Sequence, residues 1–414
     1  MATYTPSFTI NINGTDYKDD VINTCSITIG RNDIFDTTLP GYCIIELVNL
    51  SGTSPAINLL ETIEIKTTDS LSNDVTLFTG EVITVNNRVI GAGDSAVVNS
   101  LTIFGTGSLA KLVRKNAGTN SYPQELDGER IERILQDALF TAWEDLPNTL
   151  QWSEIDASAT WATYGQQGID VVDPGRYELL ARTGEVDNAS DLARIAEQSG
   201  LGYLYENHSD GTIGYADAER RTNNITSNTI ALNADFFNAE LQTRLSTQDV
   251  INSVVIQYDD PPVEVQAIND QSVETYGLVE SIISTQLAES ADATEQASRL
   301  VALRGNPNMN FDAISLNLVN DNIDNTTRDL LLGISMDSYV LITNMPEGII
   351  STGVFDGFCE GWSWELTKNS LLLTMRLSNA IFSAQEVQWE DFSPATTQWQ
   401  NLSNDLQWLD LAIG

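Results

Sequence analysis

The sequence contains little of the side-chain chemistry on which common active sites depend. His208 is the only histidine among 414 residues, so a histidine-based zinc site is excluded by number alone. The three cysteines, Cys25, Cys43 and Cys359, form no Cys-x-x-Cys pair, which argues against zinc ribbons, redox motifs and a disulfide framework. No glycine-rich phosphate loop occurs either. We therefore expect no enzyme activity, no metal and no cofactor.

Three sets of residues keep chemical alternatives open. A Ser-His-Asp arrangement would have to use His208, whose Asn-His-Ser-Asp-Gly context instead predicts a turn residue. The 58 acidic residues form so many chance pairs that a two-carboxylate glycosidase stays an alternative. The stretches Asn320–Asn325 and Asp259-Asp260 offer oxygen ligands for Ca²⁺, but neither has an EF-hand spacing, so a solvated loop is the preferred interpretation.

Positive charge is scarce. The chain has 20 Lys and Arg residues, only five of them lysine, against 58 Asp and Glu, which gives a formal net charge of -38. Such a surface repels nucleic acids and anionic membranes, and no basic patch interleaved with aromatics is present. The acidity has two interpretations, a solubility adaptation to a salty setting or a surface that must not retain DNA.

Targeting and membrane segments are also missing from the pattern. Residues 1–12 lack the basic and apolar regions of a signal peptide, and no run of 18 apolar residues occurs. We expect that the protein does not insert into a membrane. We also expect it to assemble in a reducing cytoplasm.

Alternating apolar residues predict a β domain over residues 1–118. Phe8, Ile10 and Ile12 alternate with polar residues before Asn13-Gly14, a hairpin turn signal. Further strands are predicted at 25–29, 43–48, 62–66, 77–85 and 97–104. Short strands at this spacing are typical of a barrel or sandwich.

An α+β domain is predicted for residues 119–221. Apolar residues recur on one face of a helix over 128–143 and of another over 189–199, which Asn188 or Ser190 would cap. A hairpin is predicted around Asp210-Gly211.

The pattern returns to β over residues 251–385, a second β-rich domain with one helix. Pro261-Pro262 ends the strand 251–258, and the helix 291–304 has a capping-box-like start at Asp292 and Glu295. Later strands are predicted at 314–319, 339–344, 355–366 and 371–377.

Three tryptophans recur near the C-terminal end at steps of 10 and 9. Each begins a Trp-x-x-Phe/Leu unit, and the units are Trp389 with Phe392, Trp399 with Leu402, and Trp408 with Leu411. Too few apolar residues lie between them for the segment 386–414 to build its own core. Large aromatics spaced along an extended segment can each fill one pocket on a partner. We predict an extended arm that docks on a neighbouring subunit or a partner protein.

Similar units occur at Trp152 and Trp161, inside the predicted α+β domain. Five of the eight tryptophans thus lie in Trp-x-x-apolar units. We interpret Trp152 and Trp161 as a second docking segment, with coincidence as the alternative because the unit is short.

Several motifs follow one another along the chain. They are Ile27-Thr-Ile-Gly-Arg31, Pro40-Gly41, Leu77-Phe-Thr-Gly80, Leu109-Ala-Lys-Leu112, Asp127-Gly-Glu-Arg-Ile131, Asp173-Pro-Gly-Arg176, Tyr203 to Tyr215, Ile251-Asn252, Tyr276-Gly277 and Glu360-Gly-Trp362-Ser-Trp364. By their order and spacing over nearly the whole chain, they resemble the minor tail proteins that form the tail hub of tailed bacteriophages, relatives of the baseplate hub. The tryptophan arm is similar to tails in that family. The pair Trp152 and Trp161 has no counterpart that we can place, and strong acidity is not a family requirement.

The resemblance implies a β-rich α+β fold with two β-barrel domains of baseplate-hub type. They would occupy residues 1–118 and 251–385, with the α+β domain 119–221 between them and the arm 386–414 after them. A strand returning within 222–256 would complete the first barrel. The family forms homotrimers whose six barrels adapt a sixfold tail tube to a threefold tip and let DNA pass.

The partners implied are the distal tail or tube protein, a spike or fibre protein and the tape measure protein, at the tail tip of the virion. Two other functions remain as alternatives, a tail-associated cell-wall hydrolase and a receptor-binding carbohydrate module in which Trp389 would stack on sugars.

Overall fold

The structure is a computed structural model of the 414-residue chain. It describes residues 4–17, 21–34, 36–49, 56–90, 98–139, 169–221, 229–237, 243–307, 310–311, 313–346, 350, 353–367 and 369–380. These residues form 24 β-strands and six α-helices. The β-rich α+β class predicted from the sequence is confirmed.

Seven strands open the chain. They are β1 (Thr9–Ile12), β2 (Thr15–Asp16), β3 (Val21–Gly30), β4 (Leu39–Asn49), β5 (Thr62–Thr68), β6 (Asp74–Ile90) and β7 (Val98–Thr106). In β5, Ile63 and Ile65 are buried while their neighbours are more exposed, because successive side chains point to opposite faces. Asn13 and Gly14 both have positive φ in the β1–β2 turn, as a two-residue hairpin requires. The six predicted strands are confirmed.

An α/β insert follows. Its elements are α1 (Ala110–Val113), β8 (Asn116–Ala117), β9 (Glu125–Leu126), α2 (Asp127–Leu139), β10 (Ile169–Val172), β11 (Glu178–Leu179), β12 (Asp187–Asn188), α3 (Ala189–Gly200), β13 (Tyr203–Glu206) and β14 (Ile213–Ala216). The apolar face predicted for α2 is buried. Asn188 caps α3, since its side chain accepts a hydrogen bond from the Ser190 N–H at 3.0 Å. The hairpin around Asp210-Gly211 is the antiparallel pair β13–β14.

Residues 229–305 form a third group. It contains β15 (Thr229–Asn233), a 3₁₀ turn (Ala234–Phe236), β16 (Thr243–Arg244), a 3₁₀ turn (Thr247–Asp249), β17 (Ser253–Tyr258), β18 (Val263–Ile268), α4 (Asp270–Tyr276), β19 (Glu280–Ser284) and α5 (Ser290–Arg304). Strands β18, β17 and β19 make a small sheet, and α5 packs on it. Pro261-Pro262 ends β17 as predicted, but the chain then returns directly as β18, which the sequence pattern did not reveal.

The capping box predicted for α5 is wrong. Glu289 is the N-cap residue, and its side chain makes no capping hydrogen bond. Asp292 instead accepts a hydrogen bond from the Glu178 N–H at 3.3 Å, and Glu295 pairs with Arg176 at 2.5 Å. Both carboxylates therefore bind the α/β insert rather than their own helix.

The last group contains five strands and one helix. They are β20 (Asn310–Phe311), β21 (Ile314–Asn317), α6 (Asn325–Leu332), β22 (Tyr339–Thr343), β23 (Phe355–Thr367) and β24 (Ser370–Asn379). Between residues 251 and 385 the described chain has three helices, where the sequence predicted one.

One 12-stranded sheet contains the first strand group, β15 and four strands of the last group, β21 to β24. Its order is β15-β22-β23-β3-β4-β7-β6-β5-β1-β2, with β24 on β23 and β21 on β24. The two groups meet where β23 pairs antiparallel with β3, from Gly361 opposite Gly30 to Leu366 opposite Cys25. The N-terminal part of β23 pairs with β22, so this one strand serves both halves.

Two separate barrels do not emerge from these pairings, because the described strands do not close into two rings. We expected a strand within 222–256 to complete the first group. In the described part of that segment, β15 pairs with β22, β16 pairs with β20 and β17 lies in the small sheet. The proposed division into four domains stays a prediction.

Two cores hold the chain together. The larger one lies under the 12-stranded sheet and includes Trp362 and Trp364, both almost fully buried. The other joins α2 and α3 of the insert to β17 and α5, through residues such as Ile131 and Val254. No helix in the described chain is long and apolar enough to cross a membrane.

Candidate functional site

A buried cluster of charged groups lies where three parts of the chain meet. Arg31 follows β3, Arg221 ends the insert, and Glu360 lies on β23, all at most 5% exposed. The Arg31 Nε donates to Glu360 Oε2 at 2.7 Å, and the Arg221 Nη1 donates to Glu360 Oε1 at 2.6 Å. Both guanidinium groups also lie within 5 Å of the ring centre of Tyr203 on β13, at 4.9 and 4.7 Å. The cluster thus links the first strands, the insert and the last strands.

Local backbone geometry places this cluster. The register of β23 against β24 shifts between Cys359 and Gly361, so Glu360 is the extra residue of a β-bulge. Opposite it, Gly30 has φ +90, and an added Cβ there would lie 2.5 Å from the Glu360 carbonyl oxygen. Only glycine fits such an approach, and the contact brings the next residue, Arg31, beside Glu360.

The pKa of the Glu360 carboxyl is lower than that of an ordinary glutamate. Burial alone would raise the pKa of its carboxyl, but the charges of Arg221 and Arg31 outweigh burial and lower it from 4.5 to about 2. The carboxylate is therefore ionised at neutral pH and fully shared between the two arginines. A buried triad of this kind favours one defined geometry, since removing Glu360 would leave two buried guanidinium charges without their carboxylate.

A second carboxylate ties the insert to the first strands. Glu206, at the end of β13, accepts hydrogen bonds from the backbone N–H of Gly41 at 2.8 Å and from that of Leu109. Burial raises its pKa to about 7. Glu197 on α3 is similar, because burial raises its pKa to about 7 while it accepts a hydrogen bond from the Leu204 N–H at 3.0 Å.

A third carboxylate organises the interior of the insert. Asp127 accepts hydrogen bonds from the backbone N–H of Arg176 and Tyr177, each at 2.8 Å, and from the Tyr215 hydroxyl at 2.5 Å. Burial raises its pKa to about 6. Beside it, a Cβ added to Gly128 would clash with the Asp173 carbonyl oxygen. The motifs Asp127-Gly and Asp173-Pro-Gly-Arg therefore pack against each other.

The only histidine lies at the edge of a cavity of about 290 Å³. His208 is in the β13–β14 turn as predicted, and its ring meets Trp362 edge-on at 5.9 Å. Burial lowers its pKa to about 4, so the imidazole is neutral at pH 7. It forms no hydrogen bond with another described residue, and the nearby Ser335 hydroxyl donates to Asp337 instead. The described residues therefore contain no Ser-His-Asp relay at this cavity.

The Asn320–Asn325 loop already contains a cation from the chain itself. The Arg328 guanidinium donates to the carbonyl oxygens of Leu318 and Ile323 at 2.8 Å each and to the Asn325 side chain at 2.7 Å. Three oxygens in and beside this loop are therefore already bound by arginine. At the other candidate, the Asp260 N–H donates to the Asp259 carboxylate. Among the described residues, no group of three His, Cys, Asp or Glu side chains could hold a metal ion.

The site residues predicted from the sequence lie outside the described residues. This holds for the arm residues Trp389, Phe392, Trp399, Leu402, Trp408 and Leu411 and for Trp152 and Trp161. Sequence reasoning also missed the Arg31–Glu360–Arg221 cluster. The available signal was a charged residue within the short run from Phe358 to Trp362, whose other members are apolar or glycine, because buried carboxylates need partners.

Comparison with proteins of known structure identifies the fold of this chain. No protein family and no curated protein matches the sequence. The 43 kDa tail protein of prophage MuSo2 from Shewanella oneidensis has a TM-score of 0.56 at 13% identity, over 91% of this chain and 98% of that one. This chain has the fold of that tail protein. A tail protein from Neisseria meningitidis gives a TM-score of 0.56 at 11% identity, over 92% and 98%. The likeness therefore extends over nearly the full length of all three chains.

Proposed function

We propose that this chain is a structural protein of a bacteriophage tail, and specifically the hub at the distal end of the tail. The observation that supports this most is the likeness in fold to two tail proteins over more than nine-tenths of the chain. A match of that extent leaves little of the chain for a separate catalytic domain. The role proposed is therefore non-enzymatic, in the virion.

The internal architecture suits a component of a ring. Two groups of strands share one sheet through β3 and β23, and the charged cluster of Arg31, Arg221 and Glu360 fixes the insert against that joint. In the proposed role, such a chain would hold two β units side by side. Three copies in closed cyclic symmetry would then present six units to a sixfold tube and three to the tip. The barrel closure of each unit is part of this proposal.

The acidity supports passage of DNA without retention. A net charge of -38 repels phosphates from an exposed wall, so DNA would slide past it. The partners in this role are the tail tube or distal tail protein, a spike or fibre and the tape measure protein. The arm 386–414 and the segment around Trp152 and Trp161 are proposed as docking segments of the assembly.

The oligomeric state and the symmetry test this proposal together. We expect light scattering on the purified full chain to give a mass near 136 kDa, about three times 45.4 kDa, and negative-stain images to show threefold rings. Antibodies against the chain should label one end of purified virion tails. A monomer at micromolar concentration that is also absent from virions would refute the hub role.

A further inference from the structure

The cavity of about 290 Å³ at His208 lies between two parts of the chain, and we name it the His208 cavity. The insert lines it with His208 in the β13–β14 turn and with Arg220 after β14. The last strand group lines it with residues of the loop 333–337 and with Trp362 on β23. It reaches the surface at Val171 on β10, which is 48% exposed. Ligand pockets usually measure about 300–1,000 Å³, so this cavity suits a ligand no larger than one substituted ring.

The imidazole of His208 has hydrogen-bonding capacity that the described chain leaves unused. Its pKa of about 4 makes it neutral at pH 7, so one ring nitrogen donates a hydrogen bond while the other accepts one. The ring meets Trp362 edge-on, but neither nitrogen forms a hydrogen bond with a described residue and neither is fully enclosed. Because polar groups in protein interiors are almost always paired, the molecule that fills this cavity must supply both an acceptor and a donor.

Arg220 supplies further donors to the cavity wall. Its Nη1 donates to the Tyr205 hydroxyl at 2.8 Å and to the Tyr215 carbonyl oxygen at 3.4 Å, and its Nε lies 3.7 Å from Asp173 Oδ2. The other terminal nitrogen, Nη2, makes no hydrogen bond with a described residue and is not fully enclosed. The insert therefore fixes the position of the guanidinium group while its Nη2 donors stay available to a ligand.

The charges around the His208 cavity disfavour an ionic ligand. Arg220 is the only cation among the described residues that line it, and its charge is offset by Asp173 at 3.7 Å and by Asp337, which also lines the cavity. An anion would therefore meet no net positive charge, and a cation would meet the donors of Arg220. An apolar ligand would leave His208 and Arg220 without partners. The groups that fit are neutral and both donate and accept hydrogen bonds, as hydroxyl groups do.

We propose that the His208 cavity binds a single neutral monosaccharide unit. Hydroxyl groups of the sugar donate to the unprotonated nitrogen of His208 and accept from its N–H group and from Arg220 Nη2. Tyr205, which is only partly buried, provides an aromatic surface for the C–H groups of the sugar ring. This goes beyond the hub proposal and does not depend on it, because the cavity lies within one chain. Since the insert and the last strand group both line the cavity, a bound sugar contacts both and stabilises the folded chain.

The single histidine makes a site-specific test possible. In untagged full-length protein labelled with ¹³C-histidine, every labelled imidazole signal comes from His208. We would add glucose, galactose or N-acetylglucosamine separately at neutral pH and follow that signal by NMR. We expect at least one of these sugars to shift the signal in a saturable manner, with a dissociation constant in the millimolar range or below, and to raise the melting temperature. Cyclohexanecarboxylate, an anion of similar ring size, should cause no saturable shift.

Val171→Trp places a large side chain at the mouth of the cavity and should weaken sugar binding by at least about tenfold. Val186→Trp is the matched control, because Val186 is also exposed, at 61%, but does not line the cavity, so the shift should be unchanged. Thermal unfolding curves should show that both variants are folded.

Three results would each overturn the proposal. They are the absence of a saturable shift with all three sugars, a shift that persists in Val171→Trp, and a saturable shift with the carboxylate alone. A trimer mass without sugar binding would refute this proposal and leave the hub proposal standing. Sugar binding by a monomer that is absent from virions would refute the hub proposal and leave this one standing.

Discussion

Removal of the Glu360 charge tests how the two strand groups are joined. The Glu360→Gln variant keeps the size of the side chain but replaces one carboxylate oxygen, which accepts from an arginine, with an amide group that only donates. It leaves Arg31 and Arg221 buried at 5% exposure or less with no carboxylate between them. We therefore expect the variant to lose stability through uncompensated charge rather than through packing.

Two routes give the same magnitude for this loss. The drop in the pKa of Glu360 from 4.5 to about 2 corresponds to about 3 kcal/mol, because each pKa unit is worth about 1.4 kcal/mol. Breaking a buried ion pair by removing one partner costs about 3–5 kcal/mol in other proteins. Because the folded pKa is lowered, this stabilisation is present above pH 4.5 and disappears as the pH falls through about 2.

The assay is urea unfolding at neutral pH, followed by circular dichroism, which gives the free energy of unfolding. Glu365→Gln is the matched control, since Glu365 lies on the same strand but is exposed. We expect Glu360→Gln to lose about 3–5 kcal/mol and Glu365→Gln to stay within about 0.5 kcal/mol of the parent. Equal, small losses in both variants would refute the idea that charge compensation holds the joint together.

Three further predictions follow from other contacts. The carboxyls of Asp127, Glu197 and Glu206, whose pKa is raised to about 6 or 7, stabilise the folded state below their unfolded pKa and lose that contribution as the pH rises through about 7. The urea midpoint should therefore be lower at about pH 8.5 than at about pH 5.5, and the drop should be smaller in Glu206→Gln. A higher midpoint at the alkaline pH would contradict this. Gly128→Ala should lower the free energy of unfolding by about 1–3 kcal/mol, because the new methyl group would clash with backbone atoms. Gly333→Ala is the control and should be nearly neutral, because its methyl group makes only ordinary contacts. Equal losses in the two variants would argue against the close approach at Gly128. Arg328→Met should lower the free energy of unfolding by about 2–3 kcal/mol, because the carbonyls that Arg328 binds lose their partner. Calcium should leave the melting temperature of the parent unchanged, and a rise with calcium would show that the loop binds metal despite Arg328.

Local patterns in the sequence were sufficient for most elements. Strand alternation and helical periodicity depend on neighbours within a few residues, so the opening strands, α2, α3 and α5 were predictable. The capping role of Asn188 was also predictable, because a cap acts within its own helix. Asp292 and Glu295 were misassigned for the opposite reason, since their partners lie more than 100 residues away.

Strand pairing could not be predicted in the same way. The ladder between β3 and β23 joins residues more than 300 positions apart, and no local signal specifies it. The pairing of β15 with β22 was likewise unexpected, because the resemblance placed the returning strand beside the first group. The motifs around Gly30 and Glu360 carried the information, but only the folded chain shows that they touch.

Composition was predictable from the sequence, but the buried charged groups of the candidate site were not. The single histidine and the scattered cysteines were readable by counting. The buried carboxylates Glu197 and Asp127 and the half-buried Glu206 were hidden among 58 acidic residues, since burial depends on the tertiary fold. Asp127 begins the motif Asp127-Gly-Glu-Arg-Ile131, but only the structure shows its hydrogen bonds to the N–H groups of Arg176 and Tyr177.

The shared strand β23 restricts how such a chain can be divided or recombined. A chimaera that took its first 200 residues from one relative and the rest from another would combine Gly30 and Arg31 of one parent with Glu360 and Gly361 of the other. The bulge, the glycine contact and the two arginines must then match across the breakpoint, although they are far apart in the gene. Segments that exchange freely should therefore lie outside the β3–β23 joint, and the two strand groups should be inherited as a single unit.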